Sequence, residues 1–139
     1  MKKTMITGLA GVMAVGLFAA TALAVEGTTS TITGELVDMG CYLKSGMHGA
    51  GHATCGANCA KAGMPVGVLE DNGKVYTLDV PSKALAPEMA KTVRVTGEIF
   101  KGTDVIMPTT IRVQGEEGTW TKVKLPEKFV RKFETPAMK

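Results

Sequence analysis

Three cysteines and a histidine lie close together in the chain and are the residues best suited to chemistry. His52, Cys55 and Cys59 fall within the stretch HATCGANCAKAG, and Cys41 precedes them by a short glycine-containing segment. Thiolates and imidazole are ligands for Zn(II), Cu(I) and iron–sulfur centres. Because the number of cysteines is odd, disulfide pairing within the chain cannot use all of them. The cluster therefore predicts a metal site or a site with a free thiol.

The segment that carries the two later cysteines has the composition of a helix. Small residues and helix formers dominate from about Ala53 to Ala62, and a glycine and a proline follow as stop signals. Each residue of an α-helix turns by about 100°. His52, Cys55 and Cys59 then lie within roughly 60° of one another in projection, so their side chains share one face.

Cys41 completes a candidate ligand set. We expect it to end the first strand, and the flexible segment 46–51 then allows it to fold back onto the helix face. Three cysteines and one histidine are a familiar tetrahedral combination for zinc. The predicted metal ligands are Cys41, His52, Cys55 and Cys59, with His48 as a candidate fifth.

The ligand types leave the metal ion open between Zn(II) and Cu(I). The C-x3-C spacing is weaker evidence for a zinc site than the C-x2-C spacing of zinc knuckles. Met39, Met47 and Met64 lie nearby in sequence, and their thioether sulfurs favour Cu(I). Packing in a core or loop is the more common role of methionine. No C-x-x-C-H motif occurs, so that motif gives no support for covalent c-type haem.

The same cysteines also fit two interpretations without a metal. A disulfide from Cys41 to Cys55 or Cys59 closes a loop of about 15 residues and stabilises a small domain by ~3 kcal/mol on chain-entropy grounds. One thiol then stays free, on a binding module whose partner is another exported protein. In the other interpretation, a thiol near His52 at a helix start has a lowered pKa and acts in thiol redox chemistry.

Asp38 lies three residues before Cys41. We expect it to cap a turn, or to accept a hydrogen bond from His52 and so orient that ring. The C-x-x-C of exported thiol oxidoreductases is absent, as are an acidic pair, a nucleophile elbow and a glycine-rich phosphate loop. No catalytic residues are therefore predicted.

The N-terminus has the three parts of a secretory signal peptide. Lys2 and Lys3 precede an uncharged apolar core, and Ala22-Leu23-Ala24 has the small-x-small pattern of a cleavage site. We expect residues 1–24 to be removed and the protein to be periplasmic or secreted, with no stable membrane insertion after cleavage.

The charge of the remaining chain limits its partners. Without the two N-terminal lysines the 16 basic residues fall to 14, against 13 acidic ones. Nucleic-acid and anionic-membrane surfaces call for concentrated positive charge, so this balance argues against both. The expected partner is a metal ion or another exported protein.

The rest of the chain alternates in polarity like a set of strands. We predict strands at 30–37, 65–69, 74–80, 92–100 and 105–113 (interrupted by Pro108), with a tight turn at 71–73 and a short helix within 82–91. This order predicts a mainly β fold: a small five-stranded OB-like barrel with a Cys/His-rich loop and helix (40–63) between strands 1 and 2, and a short helix between strands 3 and 4. The domain spans 25–125, with a sixth strand within 119–125 and a basic tail at 126–139.

Two motifs resemble a pattern found in small exported bacterial domains of OB-fold-like type. DMGCYL at 38–43 and HATCGANCAKAGMPVGVLEDNGKVYTL at 52–78 are similar to its order of D-x-x-C-Y, a Gly/His-rich loop, C-x3-C, G-x-P-V and a hairpin. The resemblance covers roughly residues 30–113. It implies the barrel fold and a cysteine segment that belongs to the scaffold, and it carries no established activity.

Overall fold

The computed structural model describes residues 27–126 and Phe129. The predicted signal peptide at 1–24, and all of the predicted basic tail beyond Pro126 except Phe129, lie outside the described residues. Among the residues that are described, no helix has the length and apolar character needed to cross a bilayer.

Six strands form one sheet, and five of them close into a barrel. The strands are β1 Gly27–Asp38, β2 Val66–Leu69, β3 Val75–Leu78, β4 Thr92–Phe100, β5 Val105–Gln114 and β6 Trp120–Lys122. Neighbours follow the order β3-β2-β1-β4-β5-β6, and β3 also pairs in parallel with β5. That extra pairing joins the two ends of the five-strand run, so β1 to β5 make a closed OB-like barrel and β6 extends it at β5. The predicted fold class is confirmed.

Helical segments lie in three of the connections between the described strands, including a 3-10 turn (Glu116–Gly118) between β5 and β6. Helix α1 (Met39–Ser45), a 3-10 turn (Ala50–His52) and helix α2 (Ala53–Lys61) connect β1 to β2. Between β3 and β4 the predicted short helix is a pair of 3-10 turns, Ser82–Ala84 and Ala86–Glu88. Pro87 lies in the first turn of the second one, where its missing N–H prevents a longer continuous helix.

The core lies inside the barrel and beneath α2. In β4 the predicted alternation is confirmed, because Val93 and Val95 are buried whereas Thr92 and Arg94 are exposed. Ala60 of α2 is also buried, so that helix is packed onto the barrel. The buried apolar residues of the core are Ile32, Leu36, Ala60, Val66, Val68, Leu78, Leu85, Ala86, Met89, Val93, Val95, Ile106, Ile111 and Val113.

The predicted tight turn between β2 and β3 is confirmed. Gly73 has φ +83°, a conformation that glycine adopts at little cost. The Glu70 N–H donates to the Lys74 carbonyl at 2.8 Å, and the Lys74 N–H donates to the Asn72 side chain at 2.7 Å. Local residues thus fix the register of this hairpin.

The prediction that Pro108 interrupts the last barrel strand is wrong. β5 runs without a break, and its register with β4 shifts between Thr96 and Gly97, which leaves Thr109 as the extra residue of a bulge. Pro108 pairs opposite Gly97, where a Cβ would lie 2.3 Å from the Met107 carbonyl oxygen. Pro108 has no backbone N–H to donate to the neighbouring strand, and the bulge and Gly97 together accommodate it.

A substitution at Gly34 tests how closely β1 packs against the end of β2. A Cβ at this position of β1 would lie 2.1 Å from the carbonyl oxygen of Leu69 at the end of β2. We expect Gly34→Ala to lower the free energy of unfolding by about 2 kcal/mol, since backbone must shift to relieve the contact. Urea denaturation measures this change.

Gly51→Ala is the control for that substitution. Nothing lies within 4 Å of the Cβ position at Gly51, and the residue does not have a positive φ. We expect its stability to match the unsubstituted protein. Equal stability of the two variants would contradict close packing of β1 on β2 at Gly34.

Candidate metal centre

Asp38 ends β1 and begins α1. Its side chain is fully buried, and its Oδ1 accepts a hydrogen bond from the Cys41 N–H at 2.9 Å. Aspartate is among the strongest N-caps because its oxygen satisfies a backbone donor that the first turn leaves free. The predicted cap is therefore confirmed.

The expectation that Cys41 ends the first strand is wrong. The strand stops at Asp38, and Cys41 lies in the first turn of α1. The helix ends at Gly46, which has φ +66° and donates its N–H to the Tyr42 carbonyl at 2.7 Å. Cys41 is thus placed by a capped helix rather than by a flexible loop alone.

Helix α2 carries two parallel stripes of residues, each spaced by four. Gly56 and Ala60 are buried against the barrel. Cys55 directly precedes Gly56, and Cys59 directly precedes Ala60. The two cysteines therefore form a second row beside the first, and they are less buried. Gly63, with φ +94°, follows the end of the helix as predicted.

The three cysteine sulfurs form one cluster. The Sγ atoms of Cys41, Cys55 and Cys59 all lie within 4.8 Å of one another. Cys55 is exposed, whereas the other two are half-buried. All three are free thiols. The helix spacing and the placement of α1 thus bring together the sulfurs that the sequence separates.

A second cluster shares Cys41 with the first. Ligand atoms of Asp38, Cys41 and His52 also lie within 4.8 Å of one another. The Nε2 of His52 lies 2.8 Å from Oδ2 of Asp38, and both side chains are buried. The four predicted ligands, Cys41, His52, Cys55 and Cys59, therefore lie close enough to bind a metal ion, with His52 on the Cys41 side of the group.

The contact with Asp38 determines which nitrogen of His52 is available. Burial alone raises the pKa of Asp38, but hydrogen bonds from the Cys41 N–H and from His52 outweigh it and hold the pKa below its ordinary value of 3.8. An ionised carboxylate only accepts, so Nε2 carries the proton that it donates. In a neutral ring Nδ1 then has the lone pair that a metal requires. The prediction that Asp38 orients His52 is confirmed.

His48 lies apart from both clusters. Its side chain is half-exposed, and its Nδ1 lies 3.2 Å from Oε2 of Glu35. The same carboxylate accepts a hydrogen bond from the Gly49 N–H. Glu35 therefore fastens the glycine loop to β1 and holds His48 away from the sulfurs. Nothing in the sequence pairs Glu35 with this loop, and the sequence analysis missed it.

Gly56 is a second residue that the sequence analysis missed. A Cβ there would lie 3.3 Å from the Met89 side chain and 3.4 Å from Oδ2 of Asp38. The bare glycine lets α2 approach the buried carboxylate closely enough for His52 to reach it. A glycine inside a predicted helix is the signal that would have indicated such close packing.

The local environment favours the protonated thiols of Cys41 and Cys59 in the metal-free protein. Burial, the nearby Asp38 carboxylate and the neighbouring Cys59 raise the pKa of Cys41 to about 11. Burial also raises the pKa of Cys59. The expectation of a lowered thiol pKa is wrong for these two residues. A bound cation would reverse the balance, because a coordinated thiol loses its proton.

Comparisons of the chain with protein-family models, with curated proteins and with solved structures gave no match. The geometry of the two clusters is therefore the basis on which a function is inferred.

Asp38→Asn tests how the carboxylate controls the ring. If the asparagine oxygen keeps the cap, its NH2 group faces Nε2 of His52, and the ring proton moves to Nδ1. We expect ¹⁵N NMR of the imidazole to show the Nε2–H tautomer in the unsubstituted protein and the Nδ1–H tautomer in the variant. We also expect the free energy of unfolding to fall by about 2 kcal/mol.

Asp79→Asn is the matched control, since Asp79 is exposed and far along the chain from the clusters. It should leave both the tautomer and the stability unchanged. An Nε2–H tautomer that persists in Asp38→Asn would show that another group orients His52.

The raised pKa of Cys41 gives a pH dependence for its alkylation. Only the thiolate reacts, so in reduced, metal-free protein we expect the Cys41 rate to rise about tenfold per pH unit from pH 8 to pH 10. Levelling should begin only near the pKa of about 11. Mass spectrometry of iodoacetamide-treated peptides measures the rate, and a plateau at pH 8 or 9 would contradict the raised pKa.

Proposed function

We propose that this protein is an exported small metal-binding domain that holds one soft transition metal ion, Zn(II) or Cu(I), through Cys41, Cys55, Cys59 and His52. The proposal rests on the two clusters of ligand atoms, which have Cys41 in common. Together they contain three cysteine sulfurs and the imidazole of His52. Thiolate and imidazole ligands suit these ions, whereas Mg(II) and Ca(II) prefer oxygen.

Each group contributes in a different way. Three thiolates supply the negative charge that a closed tetrahedral or trigonal site requires. Asp38 is better suited to the outer shell than to the metal, because its two oxygens already bind the Cys41 N–H and His52. A carboxylate behind a ligating histidine fixes the ring and strengthens it as a ligand.

The metal would also stabilise a segment that has little core of its own. No residue of α1 is buried, and Leu43 in that helix is 72% exposed. A helix of this kind gains little from burial of apolar surface. A metal bridging α1 and α2 would supply the missing free energy, as in small domains whose folding depends on zinc. The site therefore serves a structural role, a metal-carrying role, or both.

Export is a further part of the proposal. The N-terminal sequence pattern favours removal of residues 1–24 and a periplasmic or secreted protein. Thiols in an oxidising compartment tend to form disulfides, and metal coordination protects them. The partner that we propose is accordingly the metal ion itself or another exported protein that exchanges it. The resemblance to small exported OB-fold-like domains is consistent with this assignment.

The test is metal content and affinity of the reduced protein expressed without residues 1–24. After the protein is loaded with Zn(II), we expect native mass spectrometry to show one ion per chain, and competition with a chromophoric chelator to give its affinity. Cys59→Ser removes one thiolate and should weaken Zn(II) binding by at least about 100-fold. His52→Ala should weaken it by about 10- to 100-fold.

Two controls are available in the same segment. His48→Ala removes the other histidine, which lies in neither cluster, and Asn58→Ser changes the exposed neighbour of Cys59. Both should bind Zn(II) like the unsubstituted protein. A metal-free mass that is two daltons light would instead identify a disulfide, and it would overturn the proposal in favour of a stapled binding module.

A further inference from the structure

Met64 lies against the start of α1, at Gly40. A Cβ placed on Gly40 would lie 2.5 Å from Cε and 3.9 Å from Sδ of Met64. The methionine therefore occupies the space that the missing side chain of Gly40 leaves open. Gly40 directly precedes Cys41, so the thioether lies over the turn that carries this thiol.

The backbone holds this methionine between the two cysteine helices. The Met64 N–H donates to the Cys59 carbonyl at 3.0 Å, and the next residue, Pro65, accepts from the Met39 N–H at 2.9 Å. The first bond ties Met64 to the end of α2, and the second ties its neighbour to the start of α1. The backbone of Met64 and Pro65 therefore lies at the junction of α1 and α2, the helices that carry Cys41 and Cys59.

The exposure of Met64 does not fit a role in filling the core. The residue is 40% exposed, whereas Met89, which packs in the core, is 5% exposed. A methionine that packs over a glycine and still reaches solvent is available to a ligand on the surface.

We propose that Met64 supplies a thioether that makes the site prefer Cu(I) to Zn(II). This inference rests on the proposed metal-binding function and adds the identity of the metal. Zn(II) is of borderline softness and takes imidazole readily, whereas Cu(I) is soft and favours sulfur. The three thiolates serve either ion. His52 completes the set for Zn(II), and Met64, which packs on the residue before Cys41, completes it for Cu(I).

The arrangement also suits transfer of Cu(I) to or from a partner with sulfur ligands. Cys55 is exposed and Met64 is partly so, which leaves one side of the cluster open to an incoming ligand. Stepwise replacement of one sulfur by another keeps the ion coordinated throughout, and no change of oxidation state is involved.

The experiment compares two variants against two metals. Affinity for Cu(I) is measured anaerobically by competition with bicinchoninate, and affinity for Zn(II) with a chromophoric chelator. We expect Met64→Leu, which keeps the side-chain volume, to weaken Cu(I) binding by about tenfold or more with a change of less than about twofold for Zn(II). His52→Ala should show the opposite pattern.

Met39→Leu is the matched control. Met39 also adjoins Gly40, but its sulfur lies against Gly67 of β2, 2.5 Å from the position of a Cβ there. We expect Met39→Leu to bind both metals like the unsubstituted protein. Circular dichroism establishes that each variant is folded.

Selenomethionine labelling gives a direct readout of the contact. In the labelled protein loaded with Cu(I), X-ray absorption at the selenium edge should show a copper neighbour that is lost in Met64→Leu. This measurement does not depend on how the substitution affects folding, because it is first made on the unsubstituted sequence.

The outcomes separate this inference from the proposed function. Failure of the unsubstituted protein to bind either metal would overturn both. Normal Cu(I) affinity in Met64→Leu, equal losses for both metals, or no copper neighbour at selenium would overturn the role of Met64 and leave the cysteine site standing.

Discussion

The buried side chain of Asp38 is the point on which the rest of the site depends. One of its oxygens caps α1 and so places Cys41, and the other binds His52 at the start of α2. A buried carboxylate without partners is costly, so the chain must bring both donors to it in order to fold. The two helices are therefore positioned by the same charge. No described side-chain nitrogen or oxygen that is buried lacks a partner, which agrees with this pairing.

The barrel supplies the fixed frame around that charge. Asp38 is the last residue of β1, a strand that pairs with both β2 and β4 at the centre of the sheet. Asp38 itself pairs with Val66 of β2, whereas the pairing of β1 with β4 ends at Glu35, so backbone pairing fixes its position from the β2 side. By contrast, the loop from Gly46 to Gly51 is fastened mainly through Glu35. Binding sites are commonly built where a loop meets the end of a strand that the sheet holds in place.

The electrostatic state of the site follows from the same arrangement. The carboxylate and the shared burial raise the pKa of Cys41, which disfavours a reactive thiolate when no cation is present. A bound metal ion would supply the positive charge that three thiolates and a nearby carboxylate lack. For Cys41 and Cys59, these conditions disfavour a thiolate when no cation is bound. Because Nε2 of His52 faces Asp38, Nδ1 is the nitrogen that a metal ion would use.

The sequence by itself determined the features that depend on local periodicity and turn chemistry. The strand alternation of β4, the turn at Gly73, the end of α2 at Gly63 and the shared face of Cys55 and Cys59 all follow from neighbours along the chain. The barrel order was also accessible, because five strands of this kind have few ways to close. Tertiary structure alone decided that the Cys41 sulfur meets those of Cys55 and Cys59, that Pro108 is accommodated by a bulge opposite Gly97, and that His48 is held by Glu35 away from the sulfurs. It also placed Met64 over Gly40. These contacts join residues that are distant in the chain or depend on space left by a glycine, and neither property is encoded in a local pattern.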